Sequence, residues 1–236
     1  MGKYELTNES IEINGHILYR IRAKEDIEEI NIMKGELGGF VENEYNLNMY
    51  DNSWIYNDAC VYGNAKVYEN AKILNKAKVY GDAKVYGCSV VGGYATVHNN
   101  AKIYQYAHVL GHSTVFGDAC VYGNAKITGN AKVHGFSHVH EDAIVYGQST
   151  ITGHAIIGGL SSIYDRAIIS DTAEIKESSV VYGKAKVYGH AYITGCCEIT
   201  GSVEIYDEAI IGGYTKLCDD KQYCGDIIIH NNIKIS

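Results

Sequence analysis

The chain has 236 residues, a formal net charge of −8, 21 Tyr against 3 Phe, and no Pro. No apolar run approaches the roughly 18 residues of a membrane span, and the opening MGKYELTNES lacks the apolar core of a secretory signal, so a membrane protein and a secreted one are both excluded as expectations. Seven cysteines without CxxC or CxxH spacing suit free thiols in a reducing cytoplasm better than a disulfide framework.

Residues 1–50 read as an N-terminal β cap. YELT and SIEI are strand-like, Asn14-Gly15 is a hairpin turn and HILYRIRA is the returning strand. The acidic stretch KEDIEEINIMKGE follows, and LGGFVENEYNLNMY leads onward. Charge is uneven along the chain. Residues 1–50 hold 10 acids and 5 bases (−5), residues 51–134 hold 5 and 8 (+3), and residues 135–236 hold 13 and 7 (−6). The central segment is the part that favours an anion.

From Asp51 to Cys218 the chain runs in 28 unbroken blocks of six. The fifth place is Val or Ile in 27 blocks and Leu217 in the last. The third is Ala or Ser in 25, the exceptions being Cys197, Val203 and Thr215. Helical spacing is absent. Alternation within VYGNAK sends Val and Ala inward and leaves Tyr and Lys outward, while the Gly-Asn pair tolerates the positive φ of a sharp corner. Three such sides make an 18-residue coil, and 28 blocks make about nine coils. Residues 219–236 leave the period and are expected to cap the last coil. The phrase DACVYGNAK occurs at 58–66 and 118–126, an offset of 60. Sixty is not a multiple of 18, so the copies fall on different faces and the phrase is scaffold.

This hexad pattern resembles that of left-handed parallel β-helix proteins, the hexapeptide-repeat superfamily. The junction GELGGFVENEYNL running into DNSWIYNDACVYGNA is similar to a family of uncharacterised bacterial and prophage-borne β-helix proteins. The resemblance implies an all-β left-handed parallel β-helix over 51–218 and a homotrimer with ligands in clefts between subunits. It implies no particular activity, because one fold hosts many.

Function must then come from outward residues, sorted by steps of 18. One face carries Lys66, Lys84, Lys102, Cys120, His138 and Ile156, beside Tyr68, Tyr86, Tyr104, Tyr122, His140 and Gly158. Ammonium groups next to aromatic faces suit phosphate and base, so Lys66, Tyr68, Lys84, Tyr86, Lys102, Tyr104, Tyr122, His138 and His140 are the candidate ligand-binding residues. The plainer alternative is that Tyr ladders stabilise parallel strands and Lys keeps the surface soluble. A second face stacks Tyr62, Tyr80, His98, Phe116 and His134. A third carries the apolar Val90, Leu110, Ile144 and Val180, which fit a subunit interface.

Cys120, His138 and His140 lie close enough to share a metal, but no fourth ligand accompanies them, and no metal or cofactor is expected. An acyltransferase using coenzyme A is the enzymatic alternative, with His108, His112, His134 or His154 as base. The unbroken hexads leave no loop to cover such a site. His98, His134 and His138 or His140 are the set available to a zinc hydratase, and their spacing does not single them out. Thr128, Thr152, Thr194 and Thr200 do not form the flat ranks of an ice-binding surface. The sequence therefore favours a cytoplasmic, non-catalytic homo-oligomer that binds a small nucleotide-like anion, with neither membrane nor duplex nucleic acid as partner. The resemblance to prophage-borne proteins implies one form of that expectation, a phage protein sequestering a host immune signal, and an inert or polymer-forming rod is the other alternative.

Overall fold

Strict alternation makes each hexad a two-residue rung, and the rungs pair with those 18 residues away. In the computed structural model, which describes residues 2–230 and 234–235, the chain is an all-β parallel solenoid. It divides into two compact units, residues 1–117 and 118–236. In the first unit Cys60–Val61 pairs in register with Lys78–Val79, which pairs with Thr96–Val97, which pairs with Thr114–Val115. Lys66–Val67, Lys84–Val85 and Lys102–Ile103 form a second side, and Trp54–Ile55, Lys72–Ile73, Val90–Val91 and His108–Val109 a third. Each rung donates two amides along the axis, as when Lys84 N reaches Ala101 O (3.0 Å) and Tyr86 N reaches Ile103 O (3.0 Å).

The second unit repeats the scheme from Cys120–Val121 onward. The 18-residue register carries on beyond Cys218, with Gln222–Tyr223 paired to Glu204–Ile205 and Ile228–His230 to Ile210–Gly212. Third-place alanines and fifth-place Val and Ile are fully buried in both units. Serine substitutes for alanine because its hydroxyl is satisfied locally: Ser89, Ser113, Ser137, Ser149 and Ser161 each donate to the carbonyl three residues back, at 2.6–2.9 Å.

The corners differ from the sequence expectation in one respect. Only the first residue of each pair takes the left-handed conformation: Gly63, Gly123 and Gly129 have positive φ, and the asparagines after them do not. The left-handed residue recurs every six positions from Asn57 to Gly213 without a skip. Where it is not glycine, its side chain commonly caps the corner amide one coil on. Glu69 accepts from Gly87 N (2.8 Å), Asn75 from Gly93 N (3.2 Å), and Asp171 from Gly189 N (3.0 Å). At Gly87 the glycine has a steric reason as well, since a Cβ there would stand 2.6 Å from Gln105 N.

The head closes the start of the first unit. Strand β1 (Tyr4–Ile13) pairs antiparallel with β2 (His16–Ala23), around positive φ at Asn14 and Gly15. Strand β3 (Leu37–Val41) then pairs antiparallel with β2 and parallel with Cys60–Val61, which joins the hairpin to the coils. This covers one side of the first coils. Cys60 and Tyr62, expected to face outward, are buried against Leu18 and Phe40. Trp54 fills the core of the first coil, with Tyr4 edge-on at 6.3 Å. Buried Lys3 donates to Asp51 O (2.5 Å), Asp51 Oδ1 (3.0 Å) and Ser53 O (2.7 Å), and burial lowers its pKa.

Two outcomes are expected in equilibrium denaturation. Lys3→Ala leaves the Ser53 carbonyl and the Asp51 carboxylate without their cation and costs about 3 kcal/mol. Gly87→Ala, which meets both positive φ and the Gln105 backbone, costs about 2 kcal/mol more than Gly15→Ala, which meets positive φ in open space.

Candidate functional site

The nine sequence-predicted residues fall into two sets, six in the first unit and three in the second. In the first, parallel pairing places Lys66 beside Lys84 and Lys84 beside Lys102, all exposed at the middle of their rungs. The neighbouring column holds Tyr68, Tyr86 and Tyr104, with ring centroids 4.8 and 5.1 Å apart and planes within 4°. These rings are half-buried by one another. Burial, and the adjacent Tyr86, raise the Tyr68 pKa, so that phenol is neutral at physiological pH.

A groove runs along the lysine column. Asn64, Asp82, Asn100 and Tyr45 line it as well. Asn64 Nδ2 donates to Asp82 Oδ1 at 3.1 Å. Three ammonium groups against one carboxylate leave a surplus of two positive charges. Among the described residues, no hydrogen bond or ion pair engages the Nζ atoms of Lys66, Lys84 or Lys102. Three lysines of the second unit are paired instead: Lys176 meets Glu174 at 2.6 Å, Lys186 meets Glu204 at 2.7 Å, and Lys216 meets Glu198 at 2.6 Å.

At Lys66 the groove joins a second hollow, lined by Glu44, Tyr45, Leu47, Tyr50 and Tyr68 among others. Tyr45 lies in the short 3-10 turn Glu44–Asn46. That turn is fixed because buried Asn46 accepts from Asn43 N (2.8 Å) and donates to Gly63 O and Ala65 O (2.9 Å each). Sequence reasoning missed Tyr45 and Tyr50, which precede the repeat and belong to no column. Asn64, Asp82 and Asn100 were legible in steps of 18 from the second place of the hexad.

In the second unit Tyr122, His138 and His140 line a separate groove with Glu141, Ile156, Gly159, Lys176 and Glu177. Tyr122 stacks on His140 at 5.1 Å and meets His138 edge-on at 6.1 Å. Gly158 gives His140 room, since a Cβ there would lie 2.6 Å from Cε1. Burial lowers the His140 pKa, and nearby His138 and Lys176 add to this, against the pull of Glu141 at 3.8 Å. Cys120 and His138 are rung neighbours, yet no group of three His, Cys, Asp or Glu positioned to hold a metal occurs among the described residues. His98 is a stacked ring between Tyr80 (4.9 Å) and Phe116 (5.0 Å), and His134 Nδ1 is 3.0 Å from Thr152 Oγ1.

The third-face residues Val90, Leu110, Ile144 and Val180 are half-buried by their column neighbours. Several large apolar side chains stand exposed at corners, among them Tyr94, Tyr106, Phe136, Leu160 and Tyr214.

Because the folded state disfavours protonated His140, its contribution to stability is complete above about pH 6.5 and declines as pH falls below that value. Its NMR titration midpoint is expected below 6.5, and Glu141→Gln should move it lower still.

No helix among the described residues is long and apolar enough to cross a membrane. No family model matches the chain, and no curated protein matches it.

Proposed function

We propose that the protein is a non-catalytic, cytoplasmic homotrimer that binds a small nucleotide-like anion along Lys66, Lys84 and Lys102. On this reading its coils are left-handed hexapeptide repeats, and it is a phage or prophage protein that sequesters a host immune signal. The observation that carries the proposal is the lysine column itself. Like charges stacked in register repel one another, which costs stability, and no carboxylate is paired with any of the three. An anionic ligand offsets that repulsion.

Two further features support it. Left-handed corners recur every six residues from 57 to 213, so no loop interrupts the hexads to enclose a reacting group. Exposed aromatic and aliphatic corners such as Phe136 and Leu160 supply apolar area for subunit contact.

Native mass spectrometry tests the reading after incubation with a mixed pool of nucleotides and coenzyme A. A trimer retaining a nucleotide mass is expected. Retained coenzyme A would favour acyl transfer, and a clean oligomer with no adduct would favour an inert rod. With the ligand in hand, Lys84→Gln should weaken binding about tenfold, ~1.4 kcal/mol, with an unchanged circular dichroism spectrum. Affinity should also fall as salt rises, because the lysines are exposed.

A further inference from the structure

The lysine groove and the aromatic hollow share Tyr45 and Lys66, so the two form one continuous surface with different chemistry at each end. At the aromatic end Tyr45 is 55% and Tyr50 85% exposed. Among the described residues neither ring stacks on another, whereas Tyr68 and Tyr86 are engaged in the ladder. Tyr45 is nonetheless held in place, because Asn43 Nδ2 donates to its hydroxyl at 3.1 Å. Bare aromatic faces on a fixed turn are stacking platforms for a planar heterocycle. Glu44 is among the residues that line this end, and its negative charge makes the aromatic end less favourable to phosphate than the lysine end.

At the other end the cations continue for two rung steps, marked by the adjacent ring spacings of 4.8 and 5.1 Å. The column is short. The outward position 18 residues beyond Lys102 is Cys120, and on the near side Lys66 gives way to the tyrosines. A single-stranded nucleic acid needs a longer track, typically ~4–16 nucleotides per site, with stacking faces alternating along it. Three cations in line with one aromatic end suit a single nucleotide carrying a run of phosphates.

We propose that the surface is a bipartite site for a nucleoside di- or triphosphate, with the base against Tyr45 and Tyr50 and the phosphates along Lys66, Lys84 and Lys102. This rests on the anion-binding reading above and adds the ligand's polarity and its minimum phosphate number. Asp82, which accepts from Asn64 Nδ2 at 3.1 Å, lines the same groove beside the middle lysine and leaves it a surplus of two positive charges for the phosphates.

Calorimetric titration of the full chain with AMP, ADP, ATP and inorganic tripolyphosphate, in magnesium-free buffer, tests it. Affinity should rise at least tenfold from AMP to ATP. Tyr45→Ala should weaken ATP about tenfold and leave tripolyphosphate unchanged, Tyr45→Phe, which keeps the ring and loses only the Asn43 bond, should weaken ATP less than Tyr45→Ala does, and Lys84→Gln should weaken both ligands. If tripolyphosphate binds as tightly as ATP, or Tyr45→Ala affects the two alike, the bipartite site is overturned and the anion groove survives. Equal affinity for AMP and ATP also overturns it. If neither ATP nor tripolyphosphate binds the unaltered protein, the bipartite site is overturned, and the mixed-pool mass spectrometry alone decides the anion-binding reading.

Discussion

Every sixth residue must turn the backbone through the left-handed region, and the rest of the structure depends on that requirement. Most side chains resist positive φ at a cost of roughly 1–2 kcal/mol each, so repeated corners select glycine and asparagine, or a residue that recovers the cost through a bond. Glu69, Glu141 and Glu177 occupy such corners. Two of them cap the amide of the glycine one coil on, Gly87 and Gly159. The glycine is needed there in turn, because any Cβ would meet the backbone of the next coil. At these two places acid and glycine explain each other. With the corners fixed, two residues per hexad are committed to the core, and chemistry is confined to the outward positions.

Much of this was legible in the sequence, because each rule acts within six residues. The alternation of VYGNAK fixes which side chains enter the core, and the step of 18 fixes which ones stack. Tyr68, Tyr86 and Tyr104 stack as that arithmetic requires. The failures occur where distant contacts override the local rule. Tyr62 has the outward spacing of its neighbours and is buried only because the β1–β2 hairpin and β3 lie across it. Asn64 was expected to share the corner conformation with Gly63. It does not, since one left-handed residue completes the turn and leaves the Asn64 side chain free to reach Asp82. The apolar strip at Val90 and Ile144 looked exposed by parity alone, whereas neighbouring rungs half-cover it.

In-register stacking also changes how a charge must be judged. On an ordinary surface a lone lysine is solvated and says little. In a parallel column each lysine is brought within about one rung of the next, and the whole column takes on one sign. In the second unit two lysines meet a carboxylate one rung away, Lys186 with Glu204 and Lys216 with Glu198. The Lys66–Lys84–Lys102 column has no such relief, and it lies in the one segment with a net positive balance.

A perfectly periodic surface offers many equivalent sites and therefore no single address for a ligand. Specific recognition needs the period to be broken once, at a fixed place. The turn Glu44–Asn46 does this. It is pinned by the buried amide of Asn46 to the carbonyls of Gly63 and Ala65, two residues that flank the corner before Lys66. The same bonds that close the first coil thereby set Tyr45 beside the first lysine of the column. The end cap and the groove are one piece of structure, and the place where the repeat stops is the place where it becomes chemically distinct.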